Sequence, residues 1–161
     1  LSQEIANMER VLIIGVELDT DTIDIENSLD ELEELVKAAG GVVVSRVIQK
    51  KESINAAYFI GTGKAEEIKN YCEELDITTV VFNDELSGAQ LRNLEKIIDR
   101  KIVDRTNLIL DIFANRANSK EGKLQVKLAQ LKYRLPRLIG FRDTYLEREE
   151  VLVQEGQENR N

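Results

Sequence analysis

Thr79–Val103, TVVFNDELSGAQLRNLEKIIDRKIV, holds two short apolar runs on either side of one amphipathic stretch, and its reading decides the fold. Thr79–Asn83 has the length and β-branched content of a buried strand. Ser87-Gly-Ala-Gln90 has capping-box spacing, in which a serine hydroxyl and a glutamine side chain each satisfy a free amide at a helix start. Leu91, Leu94, Ile97 and Ile98 recur at helical spacing, and Lys101–Val103 is a second short strand. Two strands joined through one helix predict a parallel pair with a right-handed crossover.

The same alternation extends upstream. Val11–Val16, VLIIGV, reads as a strand buried on both faces. Ser28-Leu-Asp-Glu31 has the spacing of another capping box. It predicts a helix with Leu29, Leu32, Leu35, Val36 and Ala39 on one face and Gly40-Gly41 at its end. Val42–Ile48 is the next strand, and Gly61–Lys64 leads into a helix that turns Ile68, Cys72 and Leu75 inward. The expected fold is therefore α/β, a small open parallel four-stranded sheet flanked by helices, in strand order 2-1-3-4. That order opens a crevice at the carboxyl ends of strands 1 and 3, where such sheets bind ligands. The acidic loops Glu17–Asp24 and Asn83–Glu85 arrive there. Their carboxylates suit either a magnesium ion or the positive ends of the neighbouring helices; no metal ligand is assigned.

With 161 residues, 42% of them hydrophobic, the chain has the material for one core and an appendage. Residues 1–7, upstream of Met8, are set aside; 8–103 form the α/β domain, 104–140 a helical arm, and 141–161 an acidic tail. A single cysteine, Cys72, leaves no internal disulfide, and without histidine a zinc site lacks its usual ligands. Both suit a reducing cytoplasm. No apolar run approaches the roughly 20 residues that cross a bilayer, so membrane insertion is not expected. No nucleophile, base and orienting group fall together, and no catalytic residue is assigned.

Charge is divided unevenly. Residues 100–142 hold 11 Lys/Arg against 3 Asp/Glu, whereas residues 1–99 hold 9 against 21, so a net charge of -8 conceals a basic arm. Segregation of this kind points to a partner rather than to a fold. Within the arm Leu110, Ala117, Leu124 and Leu131 fall seven apart, with Ala114, Glu121, Leu128 and Leu135 between them, the spacing of a coiled-coil seam. Asn118-Ser-Lys-Glu121 and Gly122 predict a kink or restart, and Pro136 predicts the end of the helix. Such a seam calls for cover, either from the domain itself or from a second chain in a homodimer. Arg116, Lys120, Lys123, Lys127, Lys132, Arg134 and Arg137 make the arm a candidate RNA-binding surface, since a merely solvated helix tends to alternate acid and base. Few aromatic rings accompany them, which favours structured RNA gripped by its backbone over stacked single strands.

Tyr58-Phe-Ile-Gly-Thr-Gly-Lys64 invites comparison with a phosphate-binding loop. A Walker A motif has a glycine where Tyr58 stands and a Ser or Thr where Ala65 stands. Glu66 and Glu67 also occupy the first helical turn that would attract phosphate. A glycine turn between strand and helix explains these residues; the other reading is weak nucleotide contact through Gly61, Gly63 and Lys64, with ATP as the nucleotide.

RVLIIGVEL at 10–18, YFIGTGKAEEIK at 58–69, VVFNDELSGAQLRNLEK at 80–96 and the whole of 104–140 resemble the N-terminal region of the HflX family of ribosome-associated GTPases. The resemblance implies a small α/β domain followed by an antiparallel helical hairpin. It also implies binding to the large ribosomal subunit, in ribosome splitting or rescue, with the arm reaching ribosomal RNA. Adenine-nucleotide binding is a further implication for this region. After LPRLIG the family continues with a glycine-rich loop, a second basic helix and a GTPase domain, whereas this chain reads FRDTYLEREEVLVQEGQENRN. No GxxxxGK[ST] occurs in it, so GTP and magnesium are expected only with a GTPase domain, and these residues are not read as an enzyme.

Overall fold

The computed structural model describes residues 8–138. The four strands, β1 (Arg10–Leu18), β2 (Val42–Lys51), β3 (Thr79–Phe82) and β4 (Lys101–Asp104), form one parallel sheet in the order β2-β1-β3-β4. Helices α1 (Ile25–Ala38), α2 (Thr62–Glu74) and α3 (Gly88–Ile98) connect them, α4 (Arg105–Arg116) follows β4 directly, and α5 spans 120–138. This is the expected α/β class and strand order.

Alternation along the strands supplies a core on each side of the sheet. Leu12, Ile14, Val80 and Phe82 point one way and meet Ala65, Ile68 and Cys72 of α2 and Leu94 and Ile98 of α3. Val11, Ile13, Val81 and Val103 point the other way and meet Leu29, Leu32 and Val36 of α1 and Leu108 and Ile112 of α4. Each fully buried aliphatic or Phe side chain contributes about 1.5–3 kcal/mol against exposure. Gly15 lies under α1 for a steric reason, because a Cβ there would sit 2.9 Å from Ile25 Cδ1.

The capping box at Ser87 forms as expected, with Ser87 Oγ accepting from Gln90 N at 3.1 Å and Gln90 Oε1 accepting from Ser87 N at 2.9 Å. The one expected at Ser28 does not. Asp24 caps α1 a turn earlier, accepting from Glu26 N at 3.0 Å, which puts Ser28 inside the helix with its amide donated to Asp24 O. The Ser28 hydroxyl instead accepts from Asn83 Nδ2 at 2.9 Å and faces Arg105 Nη1 at 3.3 Å. A cap is chosen by which start buries more of the apolar face, and starting at Ile25 brings Ile25 against the core.

The arm departs further from its periodicity. Residues 117–119 break it, with Ala117 extended at φ -70° and ψ 122°, and the chain doubles back so that α5 runs antiparallel to α4. Gln130 Nε2 reaches Asp111 Oδ1 at 3.2 Å and Arg134 Nη2 reaches Asn107 Oδ1 at 3.1 Å across the pair. Leu110 and Ala117 therefore share no continuous seam with Leu124 and Leu131. The restart is capped by Ser119, one residue after the expected Asn118, its hydroxyl accepting from Gly122 N at 3.0 Å. Pro136 does not end the helix, which continues to 138. A proline removes the bond to the carbonyl four residues back and crowds it, but that carbonyl belongs here to exposed Lys132, and the next one, Tyr133 O, accepts from Arg137 Nη1 at 2.7 Å.

Candidate nucleic-acid interface

The seven basic residues singled out in the arm fall into two groups. Arg134 and Arg137 turn toward the domain. Arg134 meets Asp111 Oδ1 at 3.0 Å and Asn107 Oδ1. Arg137 donates from Nε to Leu86 O at 3.0 Å, pairs through Nη2 with Glu85 Oε1 at 3.4 Å, and lies over the Tyr133 ring at 3.5 Å from its centroid. Arg116, Lys120, Lys123, Lys127 and Lys132 are exposed, and none of them forms an ion pair among the described residues. Arg116 closes α4 and Lys120, Lys123 and Lys127 open α5, so four of the five gather at the hairpin bend, away from the acidic crevice.

What positions this end of the arm lies at the other end of α5. The buried Asp104 carboxylate caps α4 through Asn107 N at 2.9 Å, accepts from Leu86 N at 3.1 Å, and receives the Tyr133 hydroxyl. Arg92 Nη1 donates to Arg137 O at 3.1 Å, and Gly88 leaves room for that carbonyl, since a Cβ at 88 would sit 2.6 Å from it. Nothing in the periodicity points to Asp104 or Tyr133; the available signal was an acidic residue directly before a helix. Burial first, then the hydrogen bond to Asp104, push the Tyr133 phenol well above its ordinary range.

Along the outer side of α5 run Leu124, Leu128, Leu131, Leu135 and Leu138, between 45% and 69% exposed. Their spacing of four and three keeps them on one stripe about 21 Å long. Lys120, Lys123 and Lys127 line one edge of it and Lys132 the other.

The glycine motif lies on the opposite side of the sheet from α4, where Gly61 caps α2 and Gly63 and Lys64 fall in its first turn. Gly61 N donates to Gln49 Oε1 at 3.2 Å, and Lys64 Nζ pairs with Glu67 Oε2 at 3.2 Å. Glu67, bonded by Tyr71 and by Lys64, is held below the usual carboxylate range. Gly61, Gly63 and Lys64 are thus adjacent, with one amide and the ammonium already engaged. At the acidic crevice Asp84 is raised, by burial first and by Asp21 second, and among the described residues no three acidic or thiol side chains converge as metal ligands.

Comparison with known proteins agrees with this architecture. Residues 26–114 match the family described as GTP-binding GTPase N-terminal, and 116–159 match GTP-binding GTPase Middle Region, the latter running through most of the acidic tail. The GTPase HflX of Lacrimispora saccharolytica is 56% identical over 136 residues, covering 84% of this chain and 32% of that protein. That of Escherichia coli is 44% identical over 122 residues, covering 75% and 28%. A crystal structure of a GTP-binding protein from Sulfolobus solfataricus in complex with GDP superposes with a TM-score of 0.64 at 31% identity, over 92% of this chain and 44% of that one. The chain thus spans about a third of the length of the curated relatives it matches. On the N-terminal match, which takes in more than half of its residues, the chain belongs to the HflX family of GTP-binding proteins and carries that family's N-terminal region.

Proposed function

We propose that this region binds the large ribosomal subunit by gripping ribosomal RNA at the hairpin bend, in service of ribosome splitting or rescue. Arg116, Lys120, Lys123, Lys127 and Lys132 make the contact, while Arg134 ties the two helices of the arm together and Arg137 fastens the arm to the domain. The observation that carries this reading is the split itself: in a chain of net charge -8, the cations at the bend are exposed without ion-pair partners among the described residues, and those near the domain are engaged. Any GTP hydrolysis belongs to residues beyond these, since no GxxxxGK[ST] occurs among them. No described helix is long and apolar enough to cross a membrane.

Co-sedimentation with large subunits across a salt series tests the proposal. Five phosphates neutralised give a log-log slope of about -4. Retention indifferent to salt, or none at low salt, would rule it out. The nucleotide reading at Gly61, Gly63 and Lys64 is the alternative. Calorimetry with ATP and magnesium on wild type and Lys64→Ala decides it, and tight binding lost in the variant would favour it.

A further inference from the structure

In heptad terms α5 places Leu128 and Leu135 at its a positions and Leu124, Leu131 and Leu138 at d. This is the narrow seam of a coiled coil, not the wider face that a helix turns to a globular core. The opposite face of α5 is the one spent on α4 and the domain, through Gln130, Tyr133 and Arg137. Every leucine of the seam is at least 45% exposed, and nothing among the described residues closes over them. A contiguous apolar row left to water marks an interaction surface.

The residues beside the seam decide what kind of helix fits it. Lys120, Lys127 and Arg134 stand at g, Gln125 and Lys132 at e, all of them exposed, and no acidic residue occupies either set. Arg134 is held by Asp111, whereas Lys120, Lys127 and Lys132 form no ion pair among the described residues. Charges at e and g choose the partner of a coiled coil because they meet those of the facing helix. A second copy would bring Lys127 against Lys132 when parallel and like cations together when antiparallel, so at low salt the seam repels itself. No described helix supplies the complement either. The acidic one, α1, with Glu26, Asp30, Glu33 and Glu34, buries Leu29, Leu32 and Val36 in the domain core. Near the bend the a position is exposed Glu121, and a polar residue at a sets the register of whatever lies over it.

We propose that the outer face of α5 binds a single amphipathic helix of another protein, one with apolar residues at its a and d positions and Asp or Glu at e and g. This goes beyond the grip on phosphates at the bend, since the leucines carry this contact and phosphates call on the cations alone.

Synthetic helices with Leu at a and d, and with Glu, Gln or Lys throughout e and g, test it by fluorescence anisotropy against the whole chain. The Glu helix should bind, and less tightly as salt is raised. The Gln helix should bind about tenfold more weakly, since it forgoes the partly exposed charge pairs with Lys120, Lys127 and Lys132. The Lys helix should not bind at low salt. Leu128→Gln with Leu131→Gln, both exposed, should lose the Glu helix with circular dichroism and urea unfolding unchanged. Lys127→Glu with Lys132→Glu should exchange the preference, admitting the Lys helix and rejecting the Glu one, a reversal that loss of fold cannot produce. The proposal is overturned if the Glu helix does not bind, if the Lys helix binds as well, or if the leucine pair leaves affinity unchanged. It is overturned too if the chain prefers phosphatidylglycerol vesicles to the Glu helix through the same leucines, which would give the stripe to a lipid surface.

Discussion

The hydroxyl of Tyr133 donates to the carboxylate of Asp104, joining the last strand of the sheet to the returning helix of the arm. Asp104 is 4% exposed and holds three donors at once, from α4, from the loop before α3 and from α5. A buried carboxylate is costly unless its lone pairs are met, so removing one donor strands part of its charge. Tyr133→Phe should lower unfolding free energy by about 1–3 kcal/mol. Urea denaturation measures the loss, and hydrogen exchange should show it concentrated in α5.

The same phenol gives the protein an alkaline limb. Its proton is held more tightly folded than unfolded, because burial and Asp104 both oppose ionisation. The stabilisation is complete below the unfolded value near 10 and is lost as pH rises from there toward the folded value, since the unfolded chain gives up its proton first. The stability gap between wild type and Tyr133→Phe should therefore narrow above pH 10, in parallel denaturation series.

Two glycines should respond oppositely to alanine. At Gly88 the added methyl would meet Arg137 O at 2.6 Å, a backbone atom that moves only if α5 lifts. Gly88→Ala should cost about 1–3 kcal/mol. At Gly63, inside α2, nothing lies within 4 Å, and Gly63→Ala should stabilise by roughly 0.5–1 kcal/mol through helix propensity. Thermal unfolding of the pair provides the comparison.

Lysines at the bend and arginines near the domain should separate function from stability. Replacing Lys120, Lys123 and Lys127 by Gln should leave stability within about 0.5 kcal/mol per site. The salt slope of ribosome binding should become shallower by about 0.9 for each contact removed. Arg137→Gln should instead destabilise the docked arm, because it removes the contacts to Leu86 O, Glu85, Tyr133 O and the Tyr133 ring. Equal loss of sedimentation without loss of stability in all four variants would contradict the division.

The leucine stripe predicts self-association of the opposite salt sign. Pairing two copies along it brings lysine edges together, so light scattering should show association that strengthens as salt screens them. Leu128→Glu with Leu131→Glu should abolish it, and a strict monomer at all salts would remove the homodimer from consideration.

How much of this could be read in advance varies by element. Strands and helices on either side of the sheet were legible because each carries its own period, and the Ser87 box because both partners lie within one turn. The start of α1 was missed because Asp24 and Ser28 are both competent caps, and burial of Ile25 chose between them. The seven-residue repeat through 110–135 suggested one seam, although Asn118–Glu121 and Gly122 did mark the kink or restart that the structure has at 117–119. Period alone does not record that the helix breaks at 117–119 and reverses.

The basic residues of the arm were legible as a group, and their partition was not. Arg134 and Lys132 stand two apart in one helix, yet one meets Asp111 and the other faces outward, because successive residues are turned about 100° from each other. Thr79 carried no signal and Asp104 only that of an acidic residue before a helix, since neither the three donors of the carboxylate nor the lack of a partner for the hydroxyl among the described residues shows in a string of letters.

Local pattern by itself determined the α/β class, the order of the elements and the gathering of positive charge beyond residue 100, since each depends on side chains a few residues apart. Only tertiary structure decided which cations the domain keeps, where the arm is fastened and which hydroxyl is left unpaired. Those outcomes turn on contacts between residues 23 to 52 positions apart, whose meeting depends on how the whole chain packs.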